Sequence, residues 1–118
     1  MSHQDQNGAR PLCAQEDSLI RALLRRMDGS AKLLDQLDCA LVQNMDDGGM
    51  GSLRFTGEEL RSSGSCLVEA EYVDSDGVPV SIALNADTSG RLYELDMWKV
   101  DFTPLRKYPA FESVSIKT

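Results

Sequence analysis

Apolar residues near the N-terminus recur at the spacing of an amphipathic helix. The stripe occupies positions i, i+1, i+4, i+5 and i+8, which are filled by Leu19, Ile20, Leu23, Leu24 and Met27. This period places all of these side chains on one face of a helix that packs against a core. Gly29 is predicted to end the helix, and Ser30 to cap a second, short helix that runs to about Leu37.

From residue 39 onwards the spacing changes to the alternation that is typical of β-strands. Strands are predicted over residues 39–45, 53–55, 66–73, 78–86 and 91–100. Two turn segments that end in glycine, Asp74–Gly77 and Asp87–Gly90, predict hairpins between the last three strands. The pattern predicts an α+β fold, with one or two N-terminal helices packed on a four- to five-stranded antiparallel sheet.

The alternation also assigns side chains to the two faces of the sheet. The predicted pairings on the core face are Tyr72 with Val78, Leu84 with Tyr93, Ile82 with Leu95, and Val80 with Met97. We expect Tyr93 and Met97 to be buried against the helices. The predicted core contains Leu19, Leu23, Leu24, Leu41, Val80, Ile82, Leu84 and Leu95.

The same pairings predict an acidic surface on the opposite face. Glu69 and Asp96 are expected to flank Ser81, and Glu94 to flank Ala83, while Glu71 and Trp98 flank Pro79. Small central residues would then be bordered by carboxylates, with the only tryptophan of the chain at one end. The predicted partner-binding residues are Glu69, Glu71, Ser81, Glu94, Asp96 and Trp98.

Charge is concentrated in the same part of the chain. The 118 residues carry a formal net charge of −7. Between Cys66 and Asp101 there are eight acidic and two basic residues, which gives −6 for this segment. Nucleic acid is excluded as a ligand class, because a polyanion is bound by clusters of Lys and Arg. A basic protein is the partner that this charge attracts.

Few residues carry recognisable catalytic or metal-binding chemistry. The only histidine, His3, lies near the N-terminus, so catalytic triads and histidine-rich metal sites are not predicted. Asp74-Ser75-Asp76-Gly77 resembles part of a calcium loop, but Tyr72 and Ala83 stand where that loop needs acidic ligands. Three separate cysteines predict free thiols, buried or partly buried. No cofactor is predicted.

The ends and loops of the chain complete the prediction. Residues 1–9 are expected to form a disordered tail, and residues 10–118 a single domain. No apolar run is long enough to span a membrane and no signal peptide is recognisable, so a cytoplasmic location is expected. The glycine-rich segment Asp46–Ser52 predicts a tight loop defined by its backbone, or else a contact with a ligand or partner.

Two segments resemble a family of small bacterial proteins that is described only as a domain of unknown function. They are residues 44–53 (NMDDGGMGSL) and 90–105 (GRLYELDMWKVDFTPL), and Arg10-Pro11-Leu12 before the first helix is also similar. The ending, in which an acidic strand is followed by Trp-Lys-Val-Asp and then Pro-Leu, is also similar to small immunity proteins that neutralise bacterial toxins. Neither resemblance implies catalytic residues.

The leading hypothesis is a non-enzymatic protein-binding domain, with an immunity-type inhibitor of a basic toxin domain as its specific form. One alternative is a metal-assisted enzyme that uses Glu69, Glu71, Glu94 and Asp96 on the acidic face. A self-associating structural module is the third hypothesis.

Overall fold

The computed structural model of the protein describes residues 9–56 and 62–117. Its elements follow one another as β1 (Arg10–Pro11), α1 (Ala14–Leu24), α2 (Ala31–Leu37), β2 (Leu41–Asn44), β3 (Leu53–Phe55), β4 (Ser63–Val73), β5 (Pro79–Asp87), β6 (Leu92–Lys99), a 3₁₀ helix (Phe111–Ser113) and β7 (Val114–Ile116). The tail predicted over residues 1–9 lies outside the described residues, apart from Ala9.

The seven strands given above join one antiparallel sheet in the order β1-β2-β3-β6-β5-β4-β7. The α+β class is therefore confirmed, but the predicted four to five strands are wrong, because the described residues alone form a sheet of seven. The two additional strands are β1 and β7, which have two and three residues. Such short strands are too brief for alternation to be recognised in the sequence. Since β1 precedes α1, the helices are also not the first elements of the fold.

The first helix is tied to β1 by a buried carboxylate. Glu16 accepts the backbone N–H of Cys13 at 2.9 Å, which satisfies a free donor at the start of α1. It also accepts two hydrogen bonds from the guanidinium of Arg10, at 2.8 and 2.9 Å. Burial alone would raise the pKa of Glu16, but the bonds from Arg10 and Cys13 outweigh burial and lower it. Glu16 therefore fixes the angle at which the chain passes from strand to helix.

The helices and one face of the sheet share a single apolar core. The stripe of α1 contributes Leu19, Ile20, Leu23 and Leu24, and the sheet contributes Val80, Ile82, Leu84, Leu95 and Met97 among others. One predicted core residue is wrong, because Leu41 is 46% exposed whereas Val42 is fully buried. Val42 pairs with Phe55 on β3, so the alternation in β2 is displaced by one residue from the predicted one.

The three cysteines differ from the prediction in their exposure. Cys13, Cys39 and Cys66 are free thiols, as expected, but all three are exposed. Cys13 lies at the start of α1, Cys39 in the turn after α2, and Cys66 in the irregular start of β4. No helix in residues 9–56 or 62–117 is long and apolar enough to cross a membrane.

Both predicted hairpins form, each with a glycine of positive φ. In the first, the N–H of Gly77 donates to the carbonyl of Asp74, and Gly77 has φ +83°. In the second, the N–H of Gly90 donates to the carbonyl of Asp87. This is a type I turn followed by a left-handed glycine. The pairings nevertheless differ by two residues from those predicted, because Tyr72 pairs with Val80.

A bulge in β6 overturns the prediction that Tyr93 lies in the core. Leu92 pairs with Ala86 and Glu94 pairs with Asn85, so β6 has one extra residue, Tyr93, relative to β5 at this point. Leu92 is buried in its place, while Tyr93 is only partly buried. The guanidinium of Arg54 lies 5.1 Å from the centre of the Tyr93 ring. Beyond the bulge, Leu95 and Met97 return to the core face, as predicted.

Truncation of Ile82 tests this core. Ile82 is 2% exposed at the centre of β5, so Ile82→Ala removes buried methyl groups and leaves a cavity. We expect the free energy of unfolding to fall by about 2–5 kcal/mol in urea denaturation. Leu41→Ala on the exposed side of β2 is the control, with an expected change below about 0.5 kcal/mol. An unchanged midpoint for Ile82→Ala would show that the core face is assigned wrongly.

Candidate functional site

The six residues predicted to bind a partner all lie on the face of the sheet opposite the helices, which we call the outer face. They are Glu69, Glu71, Ser81, Glu94, Asp96 and Trp98, and their positions alternate with the buried positions of β4, β5 and β6. The residues that lie side by side across β4, β5 and β6 differ from those predicted. Ser81 lies between Glu71 and Trp98, and Ala83 lies between Glu69 and Asp96.

Small residues on β5 therefore form the floor of a shallow trough. Ser81 and Ala83 are the floor, and the side chains of β4 and β6 stand on either side. Since neighbouring strands lie about 4.8 Å apart, the two walls are separated by about 10 Å. Such a trough has room for one extended side chain of another protein between its walls.

The outer face is acidic, though less so than the sequence suggests. Glu71 has a weak ion pair with Lys117 at 3.4 Å, and Arg54 lies opposite Glu94. Burial raises the pKa of Glu94, the charge of Asp96 raises it further, and Arg54 opposes both. Glu94 is thus a partly shielded carboxylate, whereas Glu69 and Glu71 are exposed.

Exposed apolar residues adjoin these carboxylates at one end of the trough. Val73 pairs with Pro79, and the carbonyl of Pro79 accepts the N–H of Val100 at 3.1 Å. These three residues, which we call the apolar row, are all exposed, Val73 by 61% and Val100 by 50%. On the outer face the apolar row is the next row after Glu71, Ser81 and Trp98, two residues away along each strand. The apolar and acidic surfaces are therefore contiguous.

An exposed aromatic pair completes this surface. The rings of Trp98 and Phe102 meet edge to face, with centroids 5.0 Å apart and an interplanar angle of 77°. Trp98 is 47% exposed and Phe102 is 62% exposed. Trp98 is one of the predicted partner-binding residues but Phe102 is not, because no strand period extends into the turn where Phe102 lies.

The backbone holds Phe102 in an unfavourable conformation. Its φ is +65°, and it is the one non-glycine residue with positive φ in the part of the chain that the structure describes. Left-handed backbone at such a residue costs about 1–3 kcal/mol and is found most often at functional sites. Asp101 stabilises the turn, since its Oδ1 accepts the N–H of Thr103 at 3.1 Å and its hydroxyl at 2.7 Å.

The strand end that presents Trp98 on the outer face buries a lysine on the inner face. Lys99 is fully buried, and its Nζ donates to Asp74 Oδ2 at 2.8 Å, to Asp76 Oδ2 at 2.7 Å and to the carbonyl of Pro104 at 3.1 Å. An ammonium group has three protons, so its donors are fully used. Burial favours the neutral amine, but the two carboxylates outweigh burial and raise the pKa of Lys99.

Both carboxylate oxygens of Asp74 also have their hydrogen-bond donors. Its Oδ1 accepts the N–H of Ser75 at 2.7 Å and of Lys107 at 3.0 Å. Its Oδ2 accepts Lys99 Nζ and the N–H of Arg106 at 2.8 Å. Burial would raise the pKa of Asp74, but the N–H of Arg106 and the ammonium of Lys99, together with the other two donors, hold it well below its ordinary range. Asp74 therefore stays ionised in the folded protein.

Sequence reasoning missed this ion pair, although the alternation contained a signal for it. Lys99 follows Leu95 and Met97 at every second residue, and Asp74 follows Ala70 and Tyr72 in the same way. Both charges are thus in phase with the core face at the ends of their strands. Asp74 and Asp76 were interpreted as residues of a turn and compared with a calcium loop, but not as partners of Lys99. They also form the predicted turn.

The glycine-rich segment Asp46–Ser52 forms a loop closed by its own backbone. The carboxylate of Asp47 accepts the N–H groups of Gly49, Met50 and Ser52 at 3.2, 3.1 and 2.9 Å. The carbonyl of Gly49 accepts the N–H of Leu105 at 2.9 Å. This geometry favours a structural role, in which the loop supports the segment that follows β6.

The carboxylates of the outer face do not form a metal cage. Within residues 9–56 and 62–117, no three Asp, Glu, His or Cys side chains are grouped closely enough to hold a metal ion. Glu69 and Asp96 share a row but stand on opposite sides of Ala83, while Glu71 and Glu94 lie in two other rows. Calcium and magnesium instead take oxygen ligands from several directions around the ion. The outer face instead presents apolar, aromatic and anionic groups side by side.

The family model for the domain of unknown function DUF6984 matches residues 9–109. The chain belongs to this family. The match extends from β1 through the outer-face strands to the segment held by Asp74, so it covers the whole candidate site. The resemblance to a family of unknown function is therefore confirmed. No curated protein and no solved structure is significantly similar to this chain.

Removal of the Asp74 carboxylate tests the buried ion pair. In Asp74→Ala the ammonium of Lys99 stays buried with one partner fewer, and the N–H groups of Arg106 and Lys107 lose their acceptor. We expect the free energy of unfolding at pH 7 to fall by about 3–5 kcal/mol in urea denaturation. Asp35→Ala on the exposed side of α2 serves as control, with a change below about 0.5 kcal/mol.

The same variant has a distinct pH dependence. Because the pKa of Asp74 is lower in the folded than in the unfolded chain, the unfolded chain binds a proton first. The stabilisation by Asp74 is therefore fully present above the ordinary value of 3.8 and is lost as the pH falls below it. Asp74→Ala should reduce the loss of stability on acidification. An equally steep acid profile in both proteins would contradict the role assigned to Asp74.

Proposed function

We propose that this protein is a non-enzymatic binding domain whose outer face docks a basic protein. The observation that carries the proposal is the contiguity of the apolar row, the aromatic pair and the carboxylates of the trough. Exposed apolar patches bordered by polar residues mark protein interaction sites. Tryptophan in particular is enriched among the residues that dominate binding energy.

The charges favour one class of partner. Glu69, Glu71 and Asp96 form the walls of the trough, and Asp101 lies beside Phe102, so a docked surface faces several anionic groups. Basic side chains on the partner compensate these charges, whereas an acidic partner is repelled. The more specific role that we propose is inhibition of a basic toxin domain, in which the outer face binds directly over the surface of that domain. This role extends the resemblance of one strand motif, an acidic strand followed by Trp-Lys-Val-Asp and Pro-Leu, to small immunity proteins.

A photo-crosslinking residue at position 81 tests where the partner binds. Ser81 lies in the middle of the trough, so crosslinking from this position captures what docks on the outer face. The same residue at position 35, on the exposed side of α2, is the matched control. A basic protein captured from position 81 alone, and binding the purified domain directly, is the expected result. Equal capture from both positions would contradict docking on the outer face.

Binding kinetics with the captured partner then separate the two parts of the surface. Trp98→Ala should weaken binding by at least about 2 kcal/mol, or about 30-fold, mainly through faster dissociation. Glu69→Gln should slow association at low salt, with an effect that fades as salt shortens the Debye length. Leu41→Ala, at an exposed apolar residue of β2 that lies two strands away from the trough wall on β6, should bind as the wild type does. If both outer-face variants also bind as the wild type does, the proposed surface is wrong.

A further inference from the structure

The aromatic pair has carboxylates on two sides. Asp96 precedes Trp98 by two residues, so both side chains leave β6 on the outer face. Glu71 lies across Ser81 from Trp98, at the opposite wall of the trough. Asp96 has a single contact in the described structure, a long one of 3.5 Å from the hydroxyl of Ser52. Its carboxylate therefore retains most of its capacity to accept hydrogen bonds.

We propose that Trp98, Phe102 and Asp96 form the receptor site for an arginine side chain of the basic partner. This inference rests on the proposed function and names the chemical group that the outer face recognises. A guanidinium is planar, so it stacks on the indole of Trp98 while its edge donates two parallel hydrogen bonds to a carboxylate. Phe102 meets Trp98 at about a right angle and closes one side of the site.

The geometry favours arginine over other groups. The ammonium of lysine attracts the same carboxylate, but it is more strongly hydrated and has no plane to stack on an aromatic ring. A purely apolar side chain would cover Asp96 and leave its charge without a partner, which is costly. The trough is also wide enough for an arginine side chain, since its walls stand about 10 Å apart.

The conformation of Phe102 supports the assignment. Because Phe102 has a left-handed backbone and is 62% exposed, its ring contributes little to the stability of the fold. The turn is nonetheless fixed by the bonds from Thr103 to Asp101 and by the N–H of Phe102, which donates to the carbonyl of Lys99 at 2.9 Å. The ring is thus held in place before a partner arrives, which reduces the entropy that binding must offset.

The single tryptophan of the chain provides a direct readout. Because Trp98 is the only indole, a change in tryptophan emission reports on this site. Blocked hexa-arginine, hexa-lysine and hexa-citrulline peptides are titrated into the full chain. Citrulline keeps the shape of arginine but lacks its charge. We expect saturable changes in emission with hexa-arginine, weaker binding of hexa-lysine and no response to hexa-citrulline.

Two variants and one control separate a specific site from general attraction to an acidic protein. Asp96→Asn and Phe102→Leu should each weaken hexa-arginine binding by about fivefold or more. Phe102→Leu keeps apolar bulk and removes the aromatic ring, and circular dichroism verifies that both variants fold. Asp35→Asn changes the net charge by the same amount as Asp96→Asn but should weaken binding by less than about twofold.

Equal weakening by Asp96→Asn and Asp35→Asn would overturn the proposal, as would an unchanged emission or a response to hexa-citrulline. Such a failure is distinguishable from failure of the proposed function. If a partner crosslinks from position 81 and is lost in Trp98→Ala, docking on the outer face stands and only arginine recognition is wrong. If no partner is captured there while hexa-arginine binds as expected, the site stands without the proposed docking.

Discussion

The buried ion pair between Lys99 and Asp74 is the interaction on which the end of the sheet depends. Two charges removed from water lose several kcal/mol of hydration each, and their attraction compensates only when every remaining hydrogen-bonding group is satisfied. Here three acceptors meet the three protons of the ammonium, and four donors meet the carboxylate of Asp74. The pair is therefore specific, because loss of one partner leaves several buried groups unsatisfied.

This pair joins three parts of the chain that are distant in sequence. Asp74 lies at the tip of the β4–β5 hairpin, Lys99 ends β6, and Arg106 and Lys107 belong to the segment that returns towards β7. The turn of residues 100–103 is thereby held at both ends. It carries Phe102 to Trp98, so the buried charge on the inner face positions the exposed aromatic pair on the outer face.

Much of the fold could be predicted, because each correct part followed from a local physical rule. The helical stripe and the Asp-to-Gly hairpins lie in the sequence itself. Between β5 and β6 the pairings were wrong by two residues, one from a hairpin loop that is one residue shorter than predicted and one from the bulge at Tyr93. A shift of two residues leaves every side chain beyond the bulge on its predicted face. That is why the six outer-face residues share one face although their neighbours differ from the predicted ones.

What could not be predicted depends on contacts between distant segments. Val42 rather than Leu41 is buried because β2 pairs with β3, and this pairing follows a loop rather than a periodic pattern. The role of Lys99 requires the hairpin tip and the segment after Pro104 to meet. Phe102 lies in an irregular turn, where alternation gives no information about exposure.

Amide hydrogen exchange tests the central claim most directly. It reports on the hydrogen bonds from Arg106 and Lys107 to Asp74, and it requires no binding partner. If Asp74 and Lys99 hold the segment after β6, the amides of Arg106 and Lys107 exchange much more slowly than in an unstructured peptide. In Lys99→Met these two amides should lose protection, while the amide of Ile82 in the centre of the sheet remains protected. Exchange of Arg106 and Lys107 at unstructured rates in the wild-type protein would contradict the account.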